Sequence, residues 1–235
     1  MDILLTILAV LPGLLISYGI FRADKYEREP LTPLVFCFVI GGSITFPVVA
    51  IERWAFAWSG TPPFHLLQTA LLSFGVLAFT EEAAKFFLLR ALAFPQRFFN
   101  EPIDGIVYAV LIAMGFATVE NIAYANRFGL HTLLVRSLTA VPAHLVFGIV
   151  QGYYAGLARF DPPSQSRLLT RGLVLAIALH GAYDLLILQN WSHWLVVLGT
   201  FGLYLSLLFC GRLIQHHQEH SPFRTTDRGD HHPTP

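Results

Sequence analysis

The sequence predicts an all-α fold, a polytopic membrane helical bundle of about seven transmembrane helices. Three observations predict it. Of 235 residues, 54% are hydrophobic and only 13% charged, with mean hydropathy +0.57; a soluble domain carries about 25% charged residues. The apolar residues fall in runs close to the ~20 residues that cross the hydrocarbon of a bilayer. The connections between runs are at most about thirteen residues, too short to hold an inserted soluble domain. The formal net charge of +0 excludes nucleic acid as a partner, since that needs a basic footprint. Cys37 and Cys210 both sit in apolar runs and form no CxxC pair, so they read as small buried hydrophobes.

The spans are expected in order at about 3–20, 31–51, 65–90, 104–126, 137–159, 171–190 and 193–213. The first has no Lys or Arg before it and is followed by Arg22, Lys25 and Arg28, which reads as a retained helix and not a cleaved signal peptide. Asp104 opens the fourth span as an N-terminal cap or dipole partner. The fifth carries Pro142, expected to loosen the helix beside His144, and Gly148, Gly152 and Gly156 at every fourth position, spacing that lets two backbones approach. Asn190, Trp191 and Ser192 make a tight turn between the last two spans. Trp54, Trp58, Trp191 and Trp194 are placed as interfacial anchors. Counting Lys and Arg by side gives eleven against three, which puts the amino terminus outside and the carboxyl terminus in the cytoplasm. Residues 1–213 are thus expected to be one transmembrane domain. Residues 214–235, with His216, His217, His220, His231 and His232, are expected to be a polar, disordered cytoplasmic tail. No internal repeat is evident, which weakens the inverted-repeat transporter reading.

Several ionisable residues lie where lipid should be. Glu81, Glu82 and Lys85 fall in the third span, Glu120 and Asn121 in the fourth, His144 in the fifth, His180 and Asp184 in the sixth. Each charged group at a helix centre costs roughly 2.5–3.5 kcal/mol on insertion scales, so together they would cost on the order of 15–20 kcal/mol unless they meet. Helical spacing lets Lys85 reach both Glu81 and Glu82, and stacks His180 over Asp184. By the 1.5 Å rise they lie about 10–21 Å from the cytoplasmic boundary, which permits a shared site on spans three to six, about residues 65–190. Any one of these groups alone could be helix-to-helix glue, but such bonds average only about 0.6 kcal/mol.

Imidazoles and carboxylates are zinc ligands, and a bound water would be a nucleophile for an amide carbonyl with a glutamate as general base. A metal-free route is equally open to these residues, with a buried glutamate activating water and the histidines stabilising the oxyanion. There is no HExxH motif, no GxSxG motif and no Cys beside a base, so serine and cysteine chemistry is disfavoured. The rival class is a proton- or ion-coupled transporter using the same acids and histidines as a relay.

Glu81-Glu82-Ala83-Ala84-Lys85, Asp104-Gly105, Gly115-Phe116-Ala117-Thr118-Val119-Glu120-Asn121, His144 and His180-Gly181-Ala182-Tyr183-Asp184 together resemble the PrsW family of intramembrane proteases. That family is distantly similar to the CAAX prenyl proteases. The resemblance covers about residues 75–190. It implies an integral protein of a bacterial cytoplasmic membrane that cleaves a single-span, membrane-anchored substrate. A bacterial member of the family clips an anti-sigma factor and so starts a stress response. By motif position the resemblance makes Glu81 and Glu82 the catalytic glutamates. With Glu81 as general base, Glu82 becomes a ligand or orienter and Lys85 its counter-charge. Glu120, His144 and His180 are then the expected ligands of one divalent metal, zinc, with Asp184 as orienter or fourth ligand.

Overall fold

The computed structural model describes residues 3–60 and 65–224. Seven helical rods follow one another. They are α1 (Ile3–Ala23), α2 (Leu31–Ser59), α3 (66–93), α4 (Pro102–Leu138), α5 (Ala140–Phe160), α6 (Gln165–Leu188) and α7 (His193–Glu219). Among the described residues there is no strand. Five stretches are long and apolar enough to cross a membrane: Ile3–Ala23, Leu31–Ser59, Pro102–Phe160, Pro162–Leu188 and His193–Glu219. The bundle is thus the expected one, but five such stretches stand against seven expected spans. The difference arises because only Thr139 separates α4 from α5, and because α3 is broken by two π-helical segments, Leu71–Ala78 and Leu89–Ala93.

The pillar of the bundle is α4. Every residue from Pro102 to Thr118 is buried, as a helix apolar all round should be. Its small residues let neighbours come close. A Cβ at Gly115 would collide with the Phe38 carbonyl of α2, and one at Gly152 of α5 with the Gly105 carbonyl. The Gly148/Gly152/Gly156 stripe therefore lies against α4 as its spacing predicts, and fixes the height of α5 beside the pillar. Large apolar side chains such as Phe46, Trp194 and Leu208 point outward, the arrangement of a bundle whose solvent is lipid.

Three local features depart from the expectations. Pro142 is the third residue of α5, in the first turn, where its missing N–H is not needed; it starts a helix and loosens none. Gly129 breaks α4 with φ +80°, a left-handed conformation suited to glycine, and residues 130–138 fold back toward the bundle. α7 runs to Glu219, six residues past the expected boundary. His217 is buried, its Nε2 3.0 Å from the Tyr153 carbonyl oxygen and its ring stacked on Tyr153 at 4.4 Å. His216 and His220 stack on each other at 4.4 Å. An apolar contact for a histidine face extends this helix where composition alone suggested solvent. His231 and His232 lie outside the described residues.

Asp104 caps α4 as expected, accepting from the backbone N–H of Asn100 at 2.7 Å and of Glu101 at 2.8 Å. The turn between Gln189 and Ser192 is closed by the Gln189 side chain, whose Oε1 accepts from the N–H of Trp191 and Ser192 at 2.8 and 2.9 Å. Cys37 and Cys210 are free and buried. Outside the spanning helices, burial pushes the carboxyls of Asp24 and Glu29 up to about 7.

Candidate active site

Between its two π segments, α3 has a regular α-helical stretch, Phe79–Leu88. Regular geometry there puts Glu81, Glu82 and Lys85 on one face. Lys85 Nζ donates to Glu81 Oε2 at 3.0 Å and to Glu82 Oε1 at 2.8 Å, and lies 3.1 Å from His144 Nδ1. The three N–H bonds of the ammonium thus have three acceptors, and the charge also sits over the Phe116 ring at 4.2 Å. All three α3 side chains are buried.

Each of the two histidines bridges inward from a carboxylate. His144, one turn into α5, has Nε2 3.0 Å from Glu120 Oε2 while Nδ1 faces Lys85. His180 of α6 has Nε2 3.4 Å from Asp184 Oδ2, one turn on, while Nδ1 lies 2.9 Å from Glu82 Oε1. The two rings meet edge to face with centroids 5.5 Å apart, and His180 stacks on Phe147 at 4.6 Å. Gln151 donates to the Glu82 backbone carbonyl at 3.3 Å. So both imidazoles are backed at Nε2 by a carboxylate, as outer carboxylates orient metal-binding histidines, with His144 Nδ1 turned to Lys85 and His180 Nδ1 to Glu82.

All seven ionisable residues singled out in the spans, Glu81, Glu82, Lys85, Glu120, His144, His180 and Asp184, lie in this one linked set, whereas Asn121 bonds Ala9 and Ser137. Their places in it differ. Glu120 does not face the centre; its Oε2 is taken by His144 and by Arg136 Nη2 at 3.2 Å. Asp184 lies at the rim behind His180. Four further residues belong to the site and escaped the sequence reading. Arg136 reaches Glu120 because α4 folds back at Gly129, and its guanidinium covers the Tyr124 ring at 4.0 Å. Glu52, buried on α2, accepts from Thr80 Oγ1 at 3.3 Å. Phe147 and Gln151 support His180 and Glu82. Glu52 had a legible signal: it continues the buried register Gly41, Thr45, Val48 along α2.

A cavity of about 790 Å³ opens beside Glu120, lined among others by Thr45, Glu52, Leu77, Val119 and Leu188. The chemistry of the donor set fits a divalent metal. Ligand atoms of Glu81, Glu82 and His144 all lie within 4.8 Å of one another, and mixed imidazole and carboxylate donors suit zinc. Glu52, Glu81, Glu82, Glu120 and Asp184 supply five carboxylates against the two cations Lys85 and Arg136. His180 has a carboxylate oxygen at each ring nitrogen, so a neutral imidazole donates to one and needs a proton or a cation between its other nitrogen and carboxylate. The arrangement can therefore hold a cation, activate water and keep that chemistry away from lipid.

Comparison with known proteins gives the family. The profile of a family described as "PrsW family intramembrane metalloprotease" matches residues 29–210. The chain is 32% identical over 208 residues to "Protease PrsW" of Bacillus subtilis (strain 168), covering 83% of this chain and 90% of that one. It is 33% identical over 196 residues to "Protease PrsW" of Geobacillus kaustophilus (strain HTA426), covering 83% and 84%. No solved structure matches. The chain belongs to the PrsW family of intramembrane metalloproteases and is a membrane-embedded protease.

Proposed function

We propose that this protease hydrolyses a peptide bond of a single-span membrane protein within the bilayer, using Glu81 as the general base. The reading rests on one observation above others: two adjacent glutamates and two carboxylate-backed histidines are joined in one buried network, in which ligand atoms of Glu81, Glu82 and His144 lie within 4.8 Å of one another. His144 Nδ1 and Glu82 Oε1, with His180 Nδ1 brought in from beside Glu82, would hold one zinc ion, which would displace the Lys85 ammonium from the first two atoms. When bound, zinc polarises the scissile carbonyl and lowers the pKa of an attached water toward neutrality. Glu120 and Asp184 orient the imidazoles in place of ligating the metal themselves, and Arg136 fixes Glu120. Lys85 neutralises the glutamate pair. Glu81 accepts a proton from the attacking water and returns it to the departing amide nitrogen, so its carboxyl ends the cycle ionised.

The cavity beside Glu52 and Glu120 would admit the substrate as an extended segment, since a helix hides its own amide carbonyls in i→i−4 bonds. A membrane-anchored regulator such as an anti-sigma factor is the substrate class implied by the family resemblance. The reading is tested in proteoliposomes holding the protease and a single-span substrate. Chelation should abolish cleavage and stoichiometric zinc should restore it, and His144→Ala with His180→Ala should remove bound zinc in elemental analysis. A metal-free yet fully active preparation would overturn the ligand assignment.

A further inference from the structure

A second cluster of acids lies about 24 Å along α4 from Glu120, as the helical rise from Asp104 gives it. It gathers three parts of the chain that are far apart in sequence. Asp24 follows α1, Glu29 precedes α2, and Glu101 and Asp104 form the start of α4. All four residues are buried. Ligand oxygens of Asp24, Glu101 and Asp104 lie within 4.8 Å of one another, the span across one calcium ion, whose ligands sit at about 2.3–2.6 Å.

Two further observations separate this cluster from a chance collection of acids. First, oxygens face it with nothing to bind. Asp24 Oδ1, Asp104 Oδ1 and Glu29 Oε1 accept no hydrogen bond. Glu29 is only 2% exposed, and its carboxyl lies against that of Asp104 although it is not one of the converging three. Second, among the described residues no ion pair joins a lysine or arginine to any of the four. Of the donors that reach them, the N–H groups of Asn100, Glu101 and Glu29 and the Tyr108 hydroxyl use the other oxygens, Asp104 Oδ2, Asp24 Oδ2 and Glu29 Oε2, while the Ser221 hydroxyl and the Asp104 N–H serve Glu101. Buried carboxylates need a counter-charge or a shared proton, and an all-oxygen set selects a hard cation over zinc.

We infer that Asp24, Glu29, Glu101 and Asp104 form a structural site for a hard divalent cation, calcium or magnesium, separate from the active site. The ion would tie the α1–α2 connection to the start of α4. That junction also carries the bond from Gln218 of α7 to the Ala23 carbonyl at 2.6 Å. The site would therefore anchor the foot of the pillar whose far half bears Glu120.

The test uses the full chain in detergent, stripped with chelator. Terbium ion is the probe, with emission sensitised by the neighbouring Tyr108, and Ca²⁺ and Mg²⁺ as competitors. Saturable binding displaced by Ca²⁺ or Mg²⁺ is expected, with a rise in melting temperature on adding the competing ion. Asp24→Asn with Glu101→Gln should weaken binding by about tenfold or more, as expected when ligand charge is removed, and should abolish the thermal response. Glu29→Gln alone keeps the test available if the double variant does not fold. Binding should persist unchanged in Glu81→Gln with Glu82→Gln. Absence of saturable binding in the wild type, binding unaltered by the Asp24, Glu101 and Glu29 changes, or binding lost only in the Glu81/Glu82 variant would each overturn the inference.

Discussion

Asp184 and Glu120 hold no place at the centre, yet each fixes an imidazole there. Asp184→Asn keeps the shape of the side chain and removes the charge behind His180 Nε2. The expected outcome is a fall in kcat of about 10–100-fold, the usual effect of losing such a partner, with KM little changed, checked by cleavage kinetics. Lys85 is a different case. Lys85→Met would leave Glu81 buried without its cation and Glu82 with His180 alone, a loss of about 3–5 kcal/mol when one partner of a buried pair is removed. Reversible unfolding in mixed micelles measures it. At this scale much was legible, because charge in an apolar run has few bland explanations. What escaped was position at run ends. Glu52 follows directly on the expected second span, and Arg136 looked like a loop residue on the outer side. Both are drawn inward because α2 runs to Ser59 and α4 turns at Gly129.

The elements place these residues through backbone detail more than through hydrophobicity. Gly129 is the clearest instance: its φ of +80° lets residues 130–138 return, so that Arg136 meets Glu120 and Tyr204 of α7 bonds the Leu138 carbonyl at 2.8 Å. Gly129→Ala should destabilise the protein by about 1–3 kcal/mol, the cost of holding a residue with a Cβ at positive φ and extended ψ. It should also lower cleavage by displacing Arg136, which thermal unfolding and kinetics on the same sample would register. The glycine stripe on α5 was readable from spacing, since every-fourth small residues have one geometric use. The π segments flanking Phe79–Leu88 were not, because a π turn arises when tertiary packing outbids the α-helical bond pattern and leaves no compositional mark. Pro142 misled for the opposite reason: its effect depends on whether it stands inside a helix or at its start, and the helix begins at Ala140.

For the whole molecule, the bundle follows from lipid as solvent. Apolar surface stays outside, and the acids and histidines have only the interior and one another. The class of fold and the meeting of spans three to six could be argued from that balance alone. The number of uninterrupted apolar stretches could not, because it depends on how helices join. The eleven-to-three asymmetry of Lys and Arg predicts an external amino terminus, a cytoplasmic carboxyl terminus and seven crossings. Cysteine labelling from each side of sealed vesicles should find His65→Cys reactive outside and Gln96→Cys inside.

Under the proposed mechanism one buried set of glutamates and histidines performs the cleavage. Its most direct measurement is hydrolysis of a co-reconstituted single-span substrate by the wild type, Glu81→Gln, Glu82→Gln and His180→Ala, each at matched expression and melting temperature. Loss of cleavage in all three variants, with the wild type active, is the predicted result; undiminished cleavage in any of them would contradict it.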